Sequence, residues 1–240
     1  MFDDKIMSIR EETHIIVLPE MFSTGFSMKP AGLAELMDGE TVEWMKSIAA
    51  KKKSVVTGSL IIEEEGKYYN RLLWVLPNGE VGHYNKRHLF EYAGEGQHYT
   101  PGTNRFITSI NGWKILLMVC YDLRFPVWAR QQMTEGTGEY DLLICVANWP
   151  DRRIHAWKTL LQARAIENQC FAVGVNRVGI DGKENYHTGD TMIVDPLGKV
   201  LYTKTDEEDI YTCTLDKKIV EDVRNKLPFL ADADHFHIIK

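Results

Sequence analysis

Short, mainly apolar runs alternate along the chain with longer stretches in which apolar residues recur every three or four positions. The apolar runs at 13–19, 116–120 and 141–148 predict buried strands. The spaced pattern at 39–53 and at 151–169 predicts amphipathic helices. Strands and helices therefore interleave, and we expect an α/β fold.

Three turn signals lie between strand-like runs and predict β-hairpins. They are Pro-Asn-Gly at 77–79, Asn-Gly at 111–112 and Asp-Pro-Leu-Gly at 195–198. Hairpins among interleaved helices and strands indicate mixed sheets rather than purely parallel ones. Linkers, repeats and low-complexity tracts are absent from the sequence, so we expect residues 1–240 to form a single domain.

The charge balance excludes some classes of partner. The 240 residues include 28 basic and 34 acidic ones, for a net charge of −6. This balance argues against nucleic acid or an anionic membrane as the main partner. No apolar run approaches the roughly 20 residues that a transmembrane helix needs.

The four cysteines are widely spaced and form no C-x-x-C motif, which argues against a zinc ribbon, a redox pair or a disulfide scaffold. Cysteines that are not expected to form disulfides fit a reducing, cytoplasmic location. Cys145, Cys170 and Cys213 lie in apolar or alternating runs, so we expect inert core thiols. His235 and His237 have no third ligand in view, so we expect neither a metal nor another cofactor.

Reactive side chains follow several of the predicted strands. Glu20, Lys86 and Cys120 each come at or just after a strand end, where binding residues of α/β folds cluster. A carboxylate can take the proton of a thiol and later activate water. A lysine can lower the pKa of the thiol and stabilise an oxyanion together with the backbone N–H of Tyr121. These groups suffice for acyl transfer from an amide through a thioester.

The segments VLPEMFSTGF, HYNKRHLF and VCYDLRFP, which contain these three residues, resemble the nitrilase superfamily of carbon–nitrogen hydrolases. The resemblance implies a four-layer αββα sandwich of two mixed β-sheets flanked by helices. It also implies that Glu20 is the general base, Lys86 the oxyanion-stabilising cation and Cys120 the nucleophile. Glu95, shortly before a Pro-Gly pair, would orient the lysine or the substrate, with Glu91 as the rival.

Within the superfamily the motifs most resemble the ω-amidases, which hydrolyse the side-chain amide of 2-oxo acids such as 2-oxoglutaramate. The resemblance also places Asn148 and Trp149 at the edge of the pocket. A substrate of this kind carries a carboxylate, for which Arg87, Tyr92 and Arg177 are the candidate binding residues. The alternatives are an N-carbamoyl amine amidohydrolase, another small aliphatic amidase, or a non-catalytic or thiol redox-sensing protein on the same fold.

Two further expectations come from the resemblance. Members of the superfamily form dimers through their helix layers, so we expect a homodimer or a higher homo-oligomer. Members also begin with a strand and a helix before the strand that leads to the glutamate, and only 19 residues precede Glu20. A strand–helix–strand unit needs about 30 residues. We therefore expect the first strand to be missing, which would leave one side of residues 14–18 unpaired.

Overall fold

Two β-sheets face each other in the computed structural model, which describes residues 2–134 and 136–239. The α-helices are α1 (Phe2–Ser8), α2 (Glu40–Lys52), α3 (Pro126–Ala129), α4 (Ile154–Asn168) and α5 (Lys217–Lys226). The strands are β1 (Ile15–Val17), β2 (Val55–Glu64), β3 (Lys67–Val75), β4 (Val81–Asn85), β5 (Ile107–Ile110), β6 (Trp113–Val119), β7 (Met133–Thr134), β8 (Thr137–Gly138), β9 (Leu142–Ala147), β10 (Phe171–Asn176), β11 (Val178–Ile180), β12 (Tyr186–Val194) and β13 (Val200–Thr205).

Both large sheets are mixed. The first has the order β1-β2-β3-β4, with β1 parallel to β2 and the other neighbours antiparallel. The second has the order β11-β12-β10-β9-β6-β5, with β13 added on β12. Its central strands β6, β9 and β10 are parallel, and its outer strands pair in antiparallel fashion.

Helices cover the outer faces of the two sheets. Val42, Met45 and Ile48 of α2 pack on the first sheet, as their three-residue spacing predicts. Trp157 and Leu161 of α4 pack on the second sheet. Side chains from both sheets fill the space between them and belong to the largest cluster of buried apolar residues in the described chain. The predicted αββα sandwich is thus confirmed.

The three predicted hairpins are confirmed, since the turns join β3 to β4, β5 to β6 and β12 to β13. The helix predicted at 151–169 begins later, at Ile154, after a 3₁₀ turn at Asp151–Arg153. No helix in the described part of the chain is long and apolar enough to cross a membrane.

The edge of the first sheet differs from its other parts. Within residues 2–134 and 136–239, β1 has a ladder partner on one side only, β2. The idea that a first strand is missing beside it stays a prediction.

The alternating run around Cys213 forms no strand, and Cys213 is exposed, so its predicted place in the core is wrong. Sequence alternation alone does not supply the ladder partner that a strand needs.

Candidate active site

Cys120 lies where β6 ends and the chain turns sharply. Its φ of 47° is in the left-handed region, which an L-residue adopts at some cost and which often marks a functional turn. A 3₁₀ turn spans Cys120–Arg124, and Asp122 in it accepts a hydrogen bond from the N–H of Val119 (3.0 Å). The strand therefore delivers the thiol to the rim of the sheet, and the turn fixes its direction.

Asp122 also joins this turn to the segment that carries Lys86. Its buried carboxylate accepts hydrogen bonds from the hydroxyl of Tyr84 (2.8 Å) and from the backbone N–H of His88 (2.9 Å), and it contacts His88 Nδ1 (2.8 Å). Tyr84 lies in β4, two residues before Lys86. The carboxylate thus couples the position of the cysteine turn to that of the lysine.

Glu20 follows β1 and is buried, with hydrogen bonds to both of its carboxylate oxygens. Oε1 lies 3.0 Å from Nζ of Lys86 and accepts a bond from the amide of Asn70 (2.8 Å). Oε2 accepts a bond from the backbone N–H of Asn148 (2.7 Å), whose side-chain amide donates to the Glu20 carbonyl (2.6 Å). Asn148, which follows β9, therefore locks the carboxylate of Glu20 onto the second sheet.

Glu95 lies on the other side of Lys86. Its Oε2 is 2.9 Å from Nζ of Lys86 and accepts a hydrogen bond from the backbone N–H of Phe90 (2.6 Å). Asn70 approaches both carboxylates, because its Nδ2 also lies 3.4 Å from Oε1 of Glu95. Glu91, the other candidate for this role, is exposed. The contact with the lysine is therefore made by Glu95.

The charges of these groups shift one another's pKa values. Burial raises the pKa of the Cys120 thiol well above its usual range, the charge of Glu20 raises it further, and Lys86 opposes the rise. The lysine alone therefore does not produce a resting thiolate, and the thiol needs a base when it reacts. Burial by itself lowers the pKa of Lys86, but Glu20 and Glu95 raise it well above its usual range. Burial raises the pKa of Glu95.

A pocket of about 280 Å³ opens at this cluster. The sequence-predicted residues that line it are Glu20, Lys86, Tyr92, Cys120, Tyr121, Asn148 and Trp149. Tyr121 is the second residue of the 3₁₀ turn, where the turn itself leaves the N–H without a partner. Trp149 is buried and forms part of the wall.

Two of the predicted substrate-binding residues are placed elsewhere. Arg87 packs over the ring of Trp128 and donates to the Gly102 carbonyl (3.1 Å), and it does not line this pocket. Arg177 lines a neighbouring cleft, which shares Glu20 and Asn148 with this pocket. Both follow motif residues in the sequence, but the chain turns their side chains away from Cys120.

Four cations that the sequence analysis did not assign to the substrate line the pocket: Arg124, Arg152, Arg153 and Lys183. Arg152 and Lys183 are exposed, whereas Arg124 and Arg153 are half-buried against aromatic rings. The guanidinium of Arg124 lies 4.7 Å from the centre of the Trp149 ring, and that of Arg153 lies 5.2 Å from the centre of the Phe90 ring. Both arginines line the pocket, and neither forms a salt bridge with a carboxylate in the part of the chain that the structure describes. Only the fold brings them together, because 28 residues separate them along the chain.

The described residues contain no group of three or more His, Cys, Asp or Glu side chains that could hold a metal ion.

Cys145 lies in β9, the strand next to β6, which ends just before Cys120. It is buried and pairs in register with Met118. Burial raises the pKa of Cys145 well above its usual range, which keeps this thiol unreactive.

Comparison with known proteins gives one family. The family model described as "Carbon-nitrogen hydrolase" matches residues 4–225. Omega-amidase YafV of Escherichia coli strain K12 is 42% identical over 229 residues, which cover 93% of this chain and 86% of that protein. A 2-oxoglutaramate amidase of Bacillus subtilis is 34% identical over 230 residues, with the same coverage of 93% and 86%.

Solved structures agree with the sequence matches. XC1258 from Xanthomonas campestris, a CN-hydrolase superfamily protein with an arsenic adduct in its active site, is 39% identical, with a TM-score of 0.97 over 99% of this chain and 91% of that one. Nit3 of Saccharomyces cerevisiae, a nitrilase superfamily member, is 24% identical, with a TM-score of 0.79 over 95% and 85% of the two chains, which shows a shared fold.

Proposed function

Because this chain belongs to the carbon–nitrogen hydrolase family, we propose that it hydrolyses the terminal amide of 2-oxoglutaramate or a similar short 2-oxo acid, releasing ammonia. The observation that carries this proposal is the placement of the Lys86 ammonium, 3.0 Å from Glu20 and 2.9 Å from Glu95 in the pocket of Cys120. The similarity to proteins named omega-amidase and 2-oxoglutaramate amidase supports the choice of substrate.

The first half of the reaction forms a thioester. The sulfur of Cys120 attacks the amide carbonyl carbon while Glu20 takes the thiol proton, in keeping with a thiol that is protonated at rest. The Lys86 ammonium and the N–H of Tyr121 stabilise the oxyanion. The C–N bond then breaks, and the proton held by Glu20 passes to the departing ammonia.

The second half consumes one water molecule. Glu20 takes a proton from the water as its oxygen attacks the thioester carbonyl, and the same two donors stabilise the second oxyanion. The C–S bond breaks, and the proton held by Glu20 returns to the Cys120 sulfur. Glu95 does not touch the reacting atoms in this scheme. Its role is to hold Lys86, for which it supplies the second carboxylate.

Arg124 and Arg153 are the groups that we assign to the carboxylate of the substrate. Their guanidinium groups lie at the pocket without a carboxylate partner in the described chain, and each is supported from one side by an aromatic ring. A guanidinium binds a carboxylate through paired, charge-assisted hydrogen bonds. The pocket is therefore lined both by a nucleophile and by guanidinium groups that can bind a carboxylate.

A panel of amides tests both assignments through ammonia release. Arg124→Met and Arg153→Met should each raise KM for 2-oxoglutaramate by about tenfold to one-hundredfold, since a hydrogen bond to a charged group contributes about 1.5–3 kcal/mol. A neutral aliphatic amide should show a much smaller change. Arg177→Met is the matched control, because Arg177 lies outside the pocket.

Other results would point to the alternatives. Faster turnover of an N-carbamoyl amine or of a neutral amide than of 2-oxoglutaramate would reject the proposed substrate. A non-catalytic or redox-sensing protein would release no ammonia from any amide in the panel, and treatment with a thiol alkylator would change nothing.

We also propose a homodimer in the cytoplasm. Ile166 on the outer side of α4 is 51% exposed, and Leu197 in the neighbouring turn is 60% exposed. The two lie close together, since Cδ1 of Ile166 comes within 2.5 Å of the position that a Cβ on Gly198 would take. Such apolar patches are typical of subunit contacts. Light scattering that shows only monomer at micromolar concentration would reject the dimer.

A further inference from the structure

Asn70 of β3 is an uncharged residue whose side chain touches both of the carboxylates beside Lys86. It is buried, and its Nδ2 lies 2.8 Å from Oε1 of Glu20 and 3.4 Å from Oε1 of Glu95. Its backbone carbonyl accepts a hydrogen bond from the N–H of Lys86 (3.0 Å). Asn70 does not line the pocket of Cys120, so it can influence a reaction there only through these charged neighbours.

The other end of the Asn70 amide has no partner. Its Oδ1 is buried and accepts no hydrogen bond within the described residues, which costs free energy. Turning the amide over would place Oδ1 against two carboxylate oxygens, which are themselves acceptors. The donor is therefore kept towards Glu20 and Glu95 although the acceptor stays unpaired. Such a departure from full pairing is expected at functional sites.

The hydrogen bonds of Glu20 leave one of its oxygens free to act as the base. An ionised carboxylate offers about four acceptor sites, two on each oxygen. Oε1 receives Nζ of Lys86 (3.0 Å) and Nδ2 of Asn70 (2.8 Å), which fill both of its sites. Oε2 receives the backbone N–H of Asn148 (2.7 Å) and no other donor from the described chain. One site on Oε2 is therefore free to take a proton.

We propose that Asn70 is a positioning residue that makes Oε2 of Glu20 the atom that receives the proton of Cys120. Its amide occupies the second site of Oε1, so the S–H proton passes to Oε2 as the sulfur attacks. A hydrogen bond to the ionised carboxylate also favours the ionised form, which keeps the base ready at lower pH. This assignment rests on the proposed role of Glu20 as the base, and it names the atom that performs it.

The titratable groups that face Glu20 come from several elements. They are Lys86 after β4, Glu95 and Tyr99 in the segment 95–99, Cys120 after β6 and Cys145 of β9. Asn70 carries no charge, so its replacement by an apolar residue removes a hydrogen bond from Glu20 and leaves the charges of these groups in place. A change in the pH dependence of the reaction would therefore report the lost hydrogen bond.

Asn70→Leu removes the amide and keeps a side chain of similar size. The measurement is kcat/KM from pH 5 to pH 9, with the amide that the unaltered protein hydrolyses fastest. The acidic limb of the profile should move to higher pH by about one to two units, because a hydrogen bond to a charged group is equivalent to a pKa difference of about that size. KM should change less than about twofold, since Asn70 makes no contact with the pocket and its loss acts on the transition state.

Asn70→Asp should show the opposite trend with pH. An aspartic acid beside Glu20 and Glu95 keeps its proton at low pH, because the neighbouring carboxylates disfavour its charged form. The protonated carboxyl group can donate to Glu20 as the amide does. This variant should therefore be most active near pH 6 and lose about tenfold by pH 9 as the third negative charge appears. Since Asp and Asn have nearly the same size, it keeps the test available if Asn70→Leu does not fold.

Thr57→Val is the matched control. Thr57 is buried in β2 of the same sheet, and its hydroxyl donates to the carbonyl of Leu73 (2.7 Å). The variant loses a buried hydrogen bond of the sheet without touching either carboxylate. Its pH profile should coincide with that of the unaltered protein, even if its urea midpoint is lower.

Alkylation of Cys120 by iodoacetamide repeats the test without an amide substrate. Its rate, followed by mass spectrometry, should show the same displaced acidic limb in Asn70→Leu, because the thiol gives its proton to the same oxygen. A displaced limb in a protein that hydrolyses no amide would reject the proposed function and still support the role of Asn70. Acidic limbs that coincide in the unaltered protein and both Asn70 variants, or a loss that is equal at every pH, would overturn that role.

Discussion

Replacing Lys86 by methionine removes the only cation between two buried carboxylates in the described site. Lys86, Glu20 and Glu95 are each at most 1% exposed, and the lysine makes contacts of 3.0 and 2.9 Å with the two acids. When all three are ionised, the cluster has a net charge of −1, and the substitution leaves two buried negative charges with no cation between them.

The expected loss of stability near pH 8 is about 3–5 kcal/mol, the range found when one partner of a buried ion pair is removed. This is a large fraction of the free energy of unfolding of an ordinary domain, about 5–15 kcal/mol. Part of the loss is recoverable, because one of the two carboxyl groups can take up a proton and remove the repulsion.

Lowering the pH should therefore restore stability to the variant. A carboxyl group whose pKa is raised in the folded state holds a proton at a pH where the unfolded chain, with a pKa of about 4.3, has lost it. The folded state then binds more protons, so its stability rises as the pH falls, by up to about 1.4 kcal/mol per pH unit. Between pH 8 and pH 5 the gain can reach about 4 kcal/mol.

The unaltered protein should not show this gain from its lysine. Glu20 and Glu95 raise the pKa of Lys86, so its contribution to stability is fully present below about pH 10.4 and is lost only as the pH rises through the still higher pKa of the folded state. Burial raises the pKa of Glu95 in the unaltered protein as well, so this protein also gains some stability as the pH falls, but Lys86 lowers that pKa and its removal makes the gain larger in the variant. The difference in stability between the two proteins should therefore narrow from pH 8 to pH 5.

Urea unfolding followed by tryptophan fluorescence at pH 5, 6, 7 and 8 measures this difference. Lys46→Met, at a partly exposed surface lysine paired with Glu43, is the matched control and should stay within about 0.5 kcal/mol of the unaltered protein. Adding Glu95→Gln to Lys86→Met should recover part of the loss at pH 8. A difference that is small at pH 8, or that does not change with pH, would show that Lys86 does not hold two ionised carboxylates together.

Three further expectations concern the nucleophile, the lysine and the packing. Cys120→Ala should abolish ammonia release and leave the urea midpoint nearly unchanged, because the thiol lies at the rim of the sheet. Turnover above background in this variant would show that Cys120 is not the nucleophile. Lys86→Met should lower kcat about 10²–10³-fold under conditions where it is folded, as loss of an oxyanion donor does. Gly174→Ala should destabilise the fold by about 1–3 kcal/mol, because its Cβ would come within 2.6 Å of Trp157 and 2.4 Å of Leu161; an unchanged urea midpoint would contradict this.

Local signals in the sequence predict much of the fold. Hairpin turns such as Asn111-Gly112 and the apolar spacing of α2 depend on neighbouring residues, and the structure has both. The run at 209–215 shows the limit of such signals. Its alternation is typical of a strand, but a strand forms only where a partner supplies hydrogen bonds, and the described chain offers none there.

The candidate site also contains some residues whose roles the sequence predicts and others whose roles depend on the fold. Glu20, Lys86 and Cys120 stand at strand ends that the sequence marks, and their motifs point to one chemistry. The roles of Asn70 and Asn148 could not be predicted, because both depend on how two sheets meet around Glu20.

The charged wall of the pocket shows a related limit. A cation near a motif is not necessarily a cation in the pocket: Arg177 and Arg87 turn away, whereas Arg124 and Arg153 converge from the cysteine turn and the start of α4. Their convergence is a property of the tertiary structure.

Rapid acid quench of the protein during turnover of 2-oxoglutaramate, followed by mass spectrometry of the intact chain, detects the thioester on Cys120 itself. We expect a mass increase equal to the acyl group of the substrate, located on the peptide that contains Cys120 and absent from Cys120→Ala. Ammonia release without such an adduct in any quench, or release that survives Cys120→Ala, would contradict a thioester mechanism at this cysteine.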